Sequence, residues 1–197
     1  MRRDEATLII LAGGASRRMG WPKHLLPTSC GRLIDHLSRR LGGAFAETLV
    51  VGRDLDLAPG GFRVVTDARP EQSPLVGIYS GLRAAGTDLC FILACDLPFA
   101  KPELIRYLLS RGVDVDVAVP IVRGYYEPLF AVYQRSATSL IEATLDRGVL
   151  KVTAAYDRLR VGEVPEADIR RIDPSLSSFI NLNVPSQLRH LTRLPPS

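Results

Sequence analysis

The run TLIILA (7–12) is apolar almost throughout, rich in β-branched residues and stopped by glycine, the pattern of a strand buried on both faces. LCFILACD (89–96) repeats that pattern and reads as a second central strand. ETLVVG (47–52), FRVVTD (62–67), DVDVAVPIV (114–122) and PLFAVY (128–133) read as further strands. Between them the period changes. In RLIDHLSRRLGG (32–43), Leu33, Ile34, Leu37 and Leu41 recur at helical intervals, and the stretch closes on glycines. LVGIYSGLRAAG (75–86) predicts a helix with Gly86 after its last turn. KPELIRYLLSRG (101–112) predicts one that starts with Pro102 and stops at Gly112. SATSLIEATLDRG (136–148) and PSQLRHLTRL (185–194) complete the helices.

Strands alternating with helices predict an α/β domain built on a mainly parallel sheet. At 197 residues the chain fits one domain, 1–197, with only the polar, Pro-rich tail 193–197 left out of the packing and flexible. Such sheets bind ligands outside the carboxyl ends of their strands, where strand order reverses. The glycines after 7–12 and Asp96 after 89–95 both stand at such ends. If the two strands are neighbours, they face each other across one crevice.

Composition narrows the classes. Hydrophobic residues make up 46% and charged residues 23%, ordinary for a water-soluble globular chain. The net charge of +4 suits a polyanionic small molecule. The basic residues are scattered and no aromatic-interleaved basic stripe occurs, which argues against nucleic acid as a partner. The start MRRDEATLIILAGG has two acids and too short an apolar run for a signal sequence. No stretch approaches the ~20 apolar residues that span a bilayer, so a cytoplasmic protein without membrane contact is expected. Of three cysteines, Cys90 and Cys95 lie in a predicted buried strand and read as inert core thiols. His24, His36 and His190 have no partner spacing and read as structural. Asparagine occurs only at Asn181 and Asn183, which makes the segment NLN conspicuous.

The candidate chemistry begins in LAGGASRRMGWPK (11–23). Gly13 and Gly14 permit a tight turn and close approach of a ligand to bare amides. Arg17 and Lys23 can reach phosphate oxygens from there. The spacing is neither G-x-x-x-x-G-K-[ST] nor G-x-G-x-x-G, so it is not the usual P-loop or dinucleotide fingerprint. A bland reading also exists, in which Gly-Gly makes a turn and the arginines are solvated. Asp96 serves as a metal ligand or as an N-cap, and its offset from Lys101 speaks against the cap. Asp67 lies in a loop, where acids also form turns.

LAGGASRRMGWPK resembles the signature L-A-[GA]-G-x-[SG]-x-R-M-G-x-x-K of nucleotidyltransferases with a nucleotide-diphospho-sugar transferase fold, a Rossmann-like three-layer arrangement. Its LAGG form resembles the molybdenum cofactor guanylyltransferases. TDARPEQSPLVGIYSGL (66–82), ACDLPF (94–99), YYEPLFAVY (125–133) and FINLNVPSQL (179–188) resemble that family's further motifs in the same order. The resemblance implies that Leu11, Ala12, Gly13 and Gly14 cradle GTP, with Asp67 helping to bind the nucleotide. It implies that Lys23 neutralises departing pyrophosphate beside Arg17, and that Asp96 holds Mg²⁺, or Mn²⁺ in its place. Asn181 and Asn183 would meet the second substrate, molybdopterin, whose phosphate takes GMP from GTP. Partners beyond the two substrates would be other cofactor-assembly proteins or apo-molybdoenzymes. A cytidylyl or sugar-phosphate nucleotidyltransferase and a GTP-binding assembly protein without turnover are the competing readings. Two positions depart from the pattern: Ser73 replaces a glycine, which predicts a different backbone there, and Val184-Pro185-Ser186-Gln187 replaces Thr and an acidic pair.

Overall fold

A computed structural model of the chain describes residues 5–13, 25–28, 31–53, 55 and 61–182. The elements open with β1 (Ala6–Leu11), the small hairpin β2 (Pro27–Thr28) and β3 (Gly31–Arg32), α1 (Leu33–Leu41), β4 (Glu47–Val51) and β5 (Arg63–Val65). Then come α2 (Pro74–Ala84), β6 (Leu89–Ala94), α3 (Pro102–Arg111), β7 (Val117–Val122), β8 (Tyr125–Tyr126) and β9 (Phe130–Gln134). Finally α4 (Thr138–Leu145), β10 (Val161–Val164) and α5 (Glu166–Ile172) follow.

The main sheet runs β10-β7-β9-β6-β1-β4-β5, with β8 paired to β7. The β1–β4, β4–β5, β1–β6 and β10–β7 pairs are parallel. β9 is inserted antiparallel to both β6 and β7. The chain therefore leaves β1 toward β4 and β5, then returns to place β6 on its other side. Strand order reverses between β1 and β6, as the crevice argument requires.

Every residue of β1 is buried, and alternate side chains go to opposite faces. Leu8 and Ile10 join α1 (Leu33, Ile34, Leu37) and α3 (Leu104, Ile105, Leu108) in one core, together with Ile169 of α5. Ile9 and Leu11 join α2 (Leu75, Val76, Ile78) and α4 (Ile141, Leu145) in the other. Helices thus cover both faces, giving three layers. The expected strands and the helices at 32–43, 75–86, 101–112 and 136–148 are all present. The last of these opens with a 3₁₀ turn, Arg135–Ala137, before α4. The helix expected over 185–194 and the tail 193–197 lie outside the described residues.

Cys90 and Cys95 are buried and carry no disulfide, and burial pushes the Cys90 thiol up to about 12. No helix of the described residues is long and apolar enough to cross a membrane.

α2 lies close on the sheet through a small residue: a Cβ on Gly81 would stand 2.5 Å from Ile9 Cγ2. Ile9 is fully buried and β-branched, so it cannot swing away. Gly81→Ala therefore destabilises the fold by about 1–3 kcal/mol through overpacking, although alanine is the better helix former by about 1 kcal/mol. Urea unfolding checks this, and an unchanged or higher midpoint contradicts it.

Candidate active site

The carboxyl ends of three strands are held level by backbone bonds that continue past the strands. The Ala12 amide donates to Val51 O at 2.8 Å, and the Cys95 amide donates to Leu11 O at 3.1 Å. Leu11, Ala12 and Gly13 thus leave the sheet between β4 and β6, with Asp96 following directly on β6. Gly13 runs against Gly52. A Cβ on Gly52 would lie 2.9 Å from the Gly13 nitrogen, a backbone atom that cannot yield. A Cβ on Gly13 would meet Gly52 Cα at 3.4 Å and the Asp67 Oδ2 at 3.9 Å. Asp67 therefore reaches this floor from beyond β5. Burial pushes its carboxyl up, against the opposing pull of the Arg53 guanidinium.

The loop that carries Asp67 is fastened from two sides. Arg53 Nη2 donates to Arg69 O at 3.2 Å and to Pro70 O at 2.5 Å. The Ala68 amide donates to Ser80 Oγ of α2 at 2.8 Å. Ser73 then starts α2 with an extended backbone (φ −154°, ψ 156°) and accepts the Val76 amide on Oγ at 3.3 Å. Ser73 thus holds an ordinary extended backbone. Any residue adopts that φ and ψ, and serine adds an N-cap that glycine lacks.

Asp96 sits half-buried in the turn closed by the Leu97 amide on Ala94 O at 3.1 Å. Arg40 of α1 holds the same loop, donating from Nη1 to Pro98 O at 2.9 Å. The N-cap of α3 is Lys101, five positions on and without a side-chain cap bond, so capping does not account for Asp96. Asn181 is exposed, and the amide of its neighbour Leu182 donates to Asp96 O at 2.8 Å. Leu11, Ala12, Gly13, Asp67, Asp96 and Asn181 therefore converge on one edge of the sheet. Gly14, Arg17, Lys23 and Asn183 lie outside the described residues.

As a metal position this edge offers hard oxygen, the Asp96 carboxylate. Among the described residues no three His, Cys, Asp or Glu side chains cluster to form a self-contained cage. One carboxylate fits a cation that takes its remaining ligands from phosphates and water, the usual habit of Mg²⁺.

Several neighbours at this edge escaped the sequence reading. Arg53 and Ser80 hold the Asp67 loop, and nothing in their spacing announces it. Glu127 is a third half-buried carboxyl at this edge, after Asp67 and Asp96, two residues before Leu129, whose carbonyl accepts the Ala94 amide at 2.8 Å. Burial pushes Glu127 up, opposed by Arg123.

Comparison with known proteins identifies the family and the fold. A family model described as "MobA-like NTP transferase domain" matches residues 8–160. The chain is 39% identical to a "Probable molybdenum cofactor guanylyltransferase" of Pelotomaculum thermopropionicum, over 93% of this chain and 90% of that relative. It is 37% identical to a "Molybdenum cofactor guanylyltransferase" of Desulfosudis oleivorans, over 94% of this chain and 93% of the relative. A solved structure of "Molybdopterin-guanine dinucleotide biosynthesis protein A" from Archaeoglobus fulgidus superposes with a TM-score of 0.79 at 28% identity, covering 94% of this chain and 96% of that one.

Behind Asp96 lies a buried charge. Asp173 has no exposed surface. Its Oδ1 pairs with Lys101 Nζ at 2.9 Å and accepts Ser177 Oγ at 3.0 Å, while Oδ2 accepts the Ser178 amide at 2.8 Å. Burial pushes this carboxyl up, but the Ser178 amide, Lys101 and the serine hydroxyls outweigh it and hold it far below the usual carboxylate range. A depressed native value means that the stabilisation is complete above the unfolded-chain value of about 3.9 and is lost as pH falls below it. Asp173→Asn therefore costs about 1.5–3 kcal/mol at neutral pH, and its deficit against the wild type shrinks as pH drops from about 4 toward 2. Urea midpoints across that range test this; a deficit that stays constant or grows contradicts it.

Proposed function

The chain belongs to the MobA-like NTP transferase family and has the nucleotide-diphospho-sugar transferase fold; from that premise we propose that it is a molybdenum cofactor guanylyltransferase. It transfers GMP from GTP to the phosphate of molybdopterin and releases pyrophosphate. The observation that carries this reading is the convergence of Gly13, Asp67, Asp96 and Asn181 on the β1–β6 edge.

The acceptor phosphate is already an anion, so the attack needs no strong general base. Its oxygen forms a bond to the α-phosphorus in line with the departing oxygen, the bond between the α-phosphorus and the bridging oxygen breaks, and pyrophosphate leaves with that electron pair. What the protein supplies is position and charge neutralisation. Leu11, Ala12, Gly13 and Gly14 present backbone groups to the nucleotide, and the Gly13–Gly52 approach leaves no side chain in the way. Asp67 accepts hydrogen bonds from the nucleoside. Lys23 and Arg17 neutralise the phosphates. Asp96 is the residue that would hold a divalent cation, Mg²⁺ or Mn²⁺, which when bound spreads the charge of the triphosphate. Asn181 and Asn183 take the acceptor. We place the reaction in the cytoplasm, with other cofactor-assembly proteins and apo-molybdoenzymes as the partners that receive its product.

Calorimetric titration with GTP, CTP, UTP and ATP in the presence of Mg²⁺ tests the donor half. GTP binds well above the others, and Asp96→Asn and Asp67→Asn each weaken it by about tenfold, the size of one lost charge-assisted contact. A preference for CTP moves the protein to cytidylyl transfer. Binding of no triphosphate overturns the site, and GTP binding without pyrophosphate release in the presence of molybdopterin makes the chain a binder instead of an enzyme.

A further inference from the structure

The segment from Asp173 to Leu182 runs as a strap tied at both ends. At one end is the buried Asp173 carboxylate with Lys101, Ser177 and Ser178 around it. The tie is reciprocal, because the Lys101 amide donates to Ser178 Oγ at 3.1 Å. Lys101 is also the N-cap residue of α3, so the strap is pinned to the first turn of the helix that follows Asp96. At the other end, Leu182 is buried and its amide is bonded to Asp96 O.

Between the two ties Phe179 packs its ring against Phe130, with 4.8 Å between centroids, while Ile180 and Asn181 are exposed. Ile180 is 46% exposed, a large aliphatic left in water beside the exposed Asn181 amide. A buried carboxylate is a costly fastening, since its desolvation has to be offset by several well-placed donors. Here it gets them from an ammonium, an amide and hydroxyls. What this yields is a fixed position: Ile180 and Asn181 stand two and one residues from the backbone bond to Asp96. Neither depends on the loop that carries Asp67, which Arg53 and Ser80 hold separately.

We propose that Asp173 is a positioning residue for the acceptor: through the strap it sets Ile180 and Asn181 as a preformed shelf beside Asp96. A flat heterocycle lies on that shelf with its face on Ile180 and its polar edge at the Asn181 amide. The inference rests on the proposed transfer to molybdopterin, whose pterin ring is such a heterocycle, and names the part of the site that receives it. The proposed donor contacts at Gly13 and Asp67 lie on separately fastened chain, so altering the shelf side chain Ile180 acts on the acceptor.

Steady-state pyrophosphate release, with GTP saturating and molybdopterin varied, separates the two substrates. Ile180→Ser alters an exposed side chain and leaves the core intact. It raises the acceptor KM by about tenfold, the size of one lost contact, with kcat and calorimetric GTP affinity within about twofold of wild type. Ser178→Ala and Lys101→Met, which loosen the strap without emptying it, move the acceptor KM in the same direction. Asp173→Asn does so most strongly, and if that variant does not fold, the other three carry the test. An acceptor KM unchanged in Ile180→Ser and Ser178→Ala overturns the inference, as does a parallel loss of GTP affinity, which marks general loosening. A wild type that releases no pyrophosphate with molybdopterin overturns the transfer reading itself, which an active wild type with indifferent variants leaves standing.

Discussion

The site depends on β1 being gripped from both sides by parallel neighbours. All six of its residues are buried, and its backbone is bonded to β4 on one edge and β6 on the other. A slip of one residue would carry Leu8 and Ile10 into the core that Ile9 and Leu11 fill, so the register is strongly fixed. Because the bonding continues beyond the strands, to Ala12 on one side and Cys95 on the other, the loops at the carboxyl edge inherit that precision. Gly13 and Asp96 are placed by the sheet, and the loops themselves contribute little to it.

Around this rigid centre the two halves of the crevice are secured by different means. Toward β4 and β5 the Asp67 loop hangs from the Arg53 guanidinium and Ser80. Toward α3 the chain before Asn181 is tied by Asp173 and Lys101. Both fasteners use side chains that lie off the reacting groups, and both bond backbone amides or carbonyls, which fixes the main chain itself. A reaction whose nucleophile is already charged gains most from such placement, because no proton transfer has to be organised.

Much of this was legible in the sequence, and the reasons are local. Runs such as TLIILA and LCFILACD admit only a doubly covered strand, and alternation with well-punctuated helices gives the layered class. PLFAVY was recognisable as a strand, but an apolar run reads the same in either direction, so the antiparallel insertion of β9 between β6 and β7 was not visible. β10 is four residues at the sheet's edge and α5 seven, too short for either period to register. The 3₁₀ stretch Val152–Arg158 has no sequence punctuation of the kind that marks α-helices. At the site, Gly13 and Asp96 could be found because each closes a buried strand. Asp173 could not: in IDPSLSS it looks like a turn acid, and its value comes from Lys101, 72 positions earlier in the chain.

The central claim is that this edge of the sheet joins a guanylyl group to an acceptor phosphate. The most direct test follows the phosphorus atom, using GTP labelled at the α-phosphate with Mg²⁺ and molybdopterin. The account predicts that the label moves into a molybdopterin–GMP conjugate while one pyrophosphate appears for each conjugate formed. Label that stays in GTP, or leaves as free GMP with the molybdopterin unaltered, contradicts it.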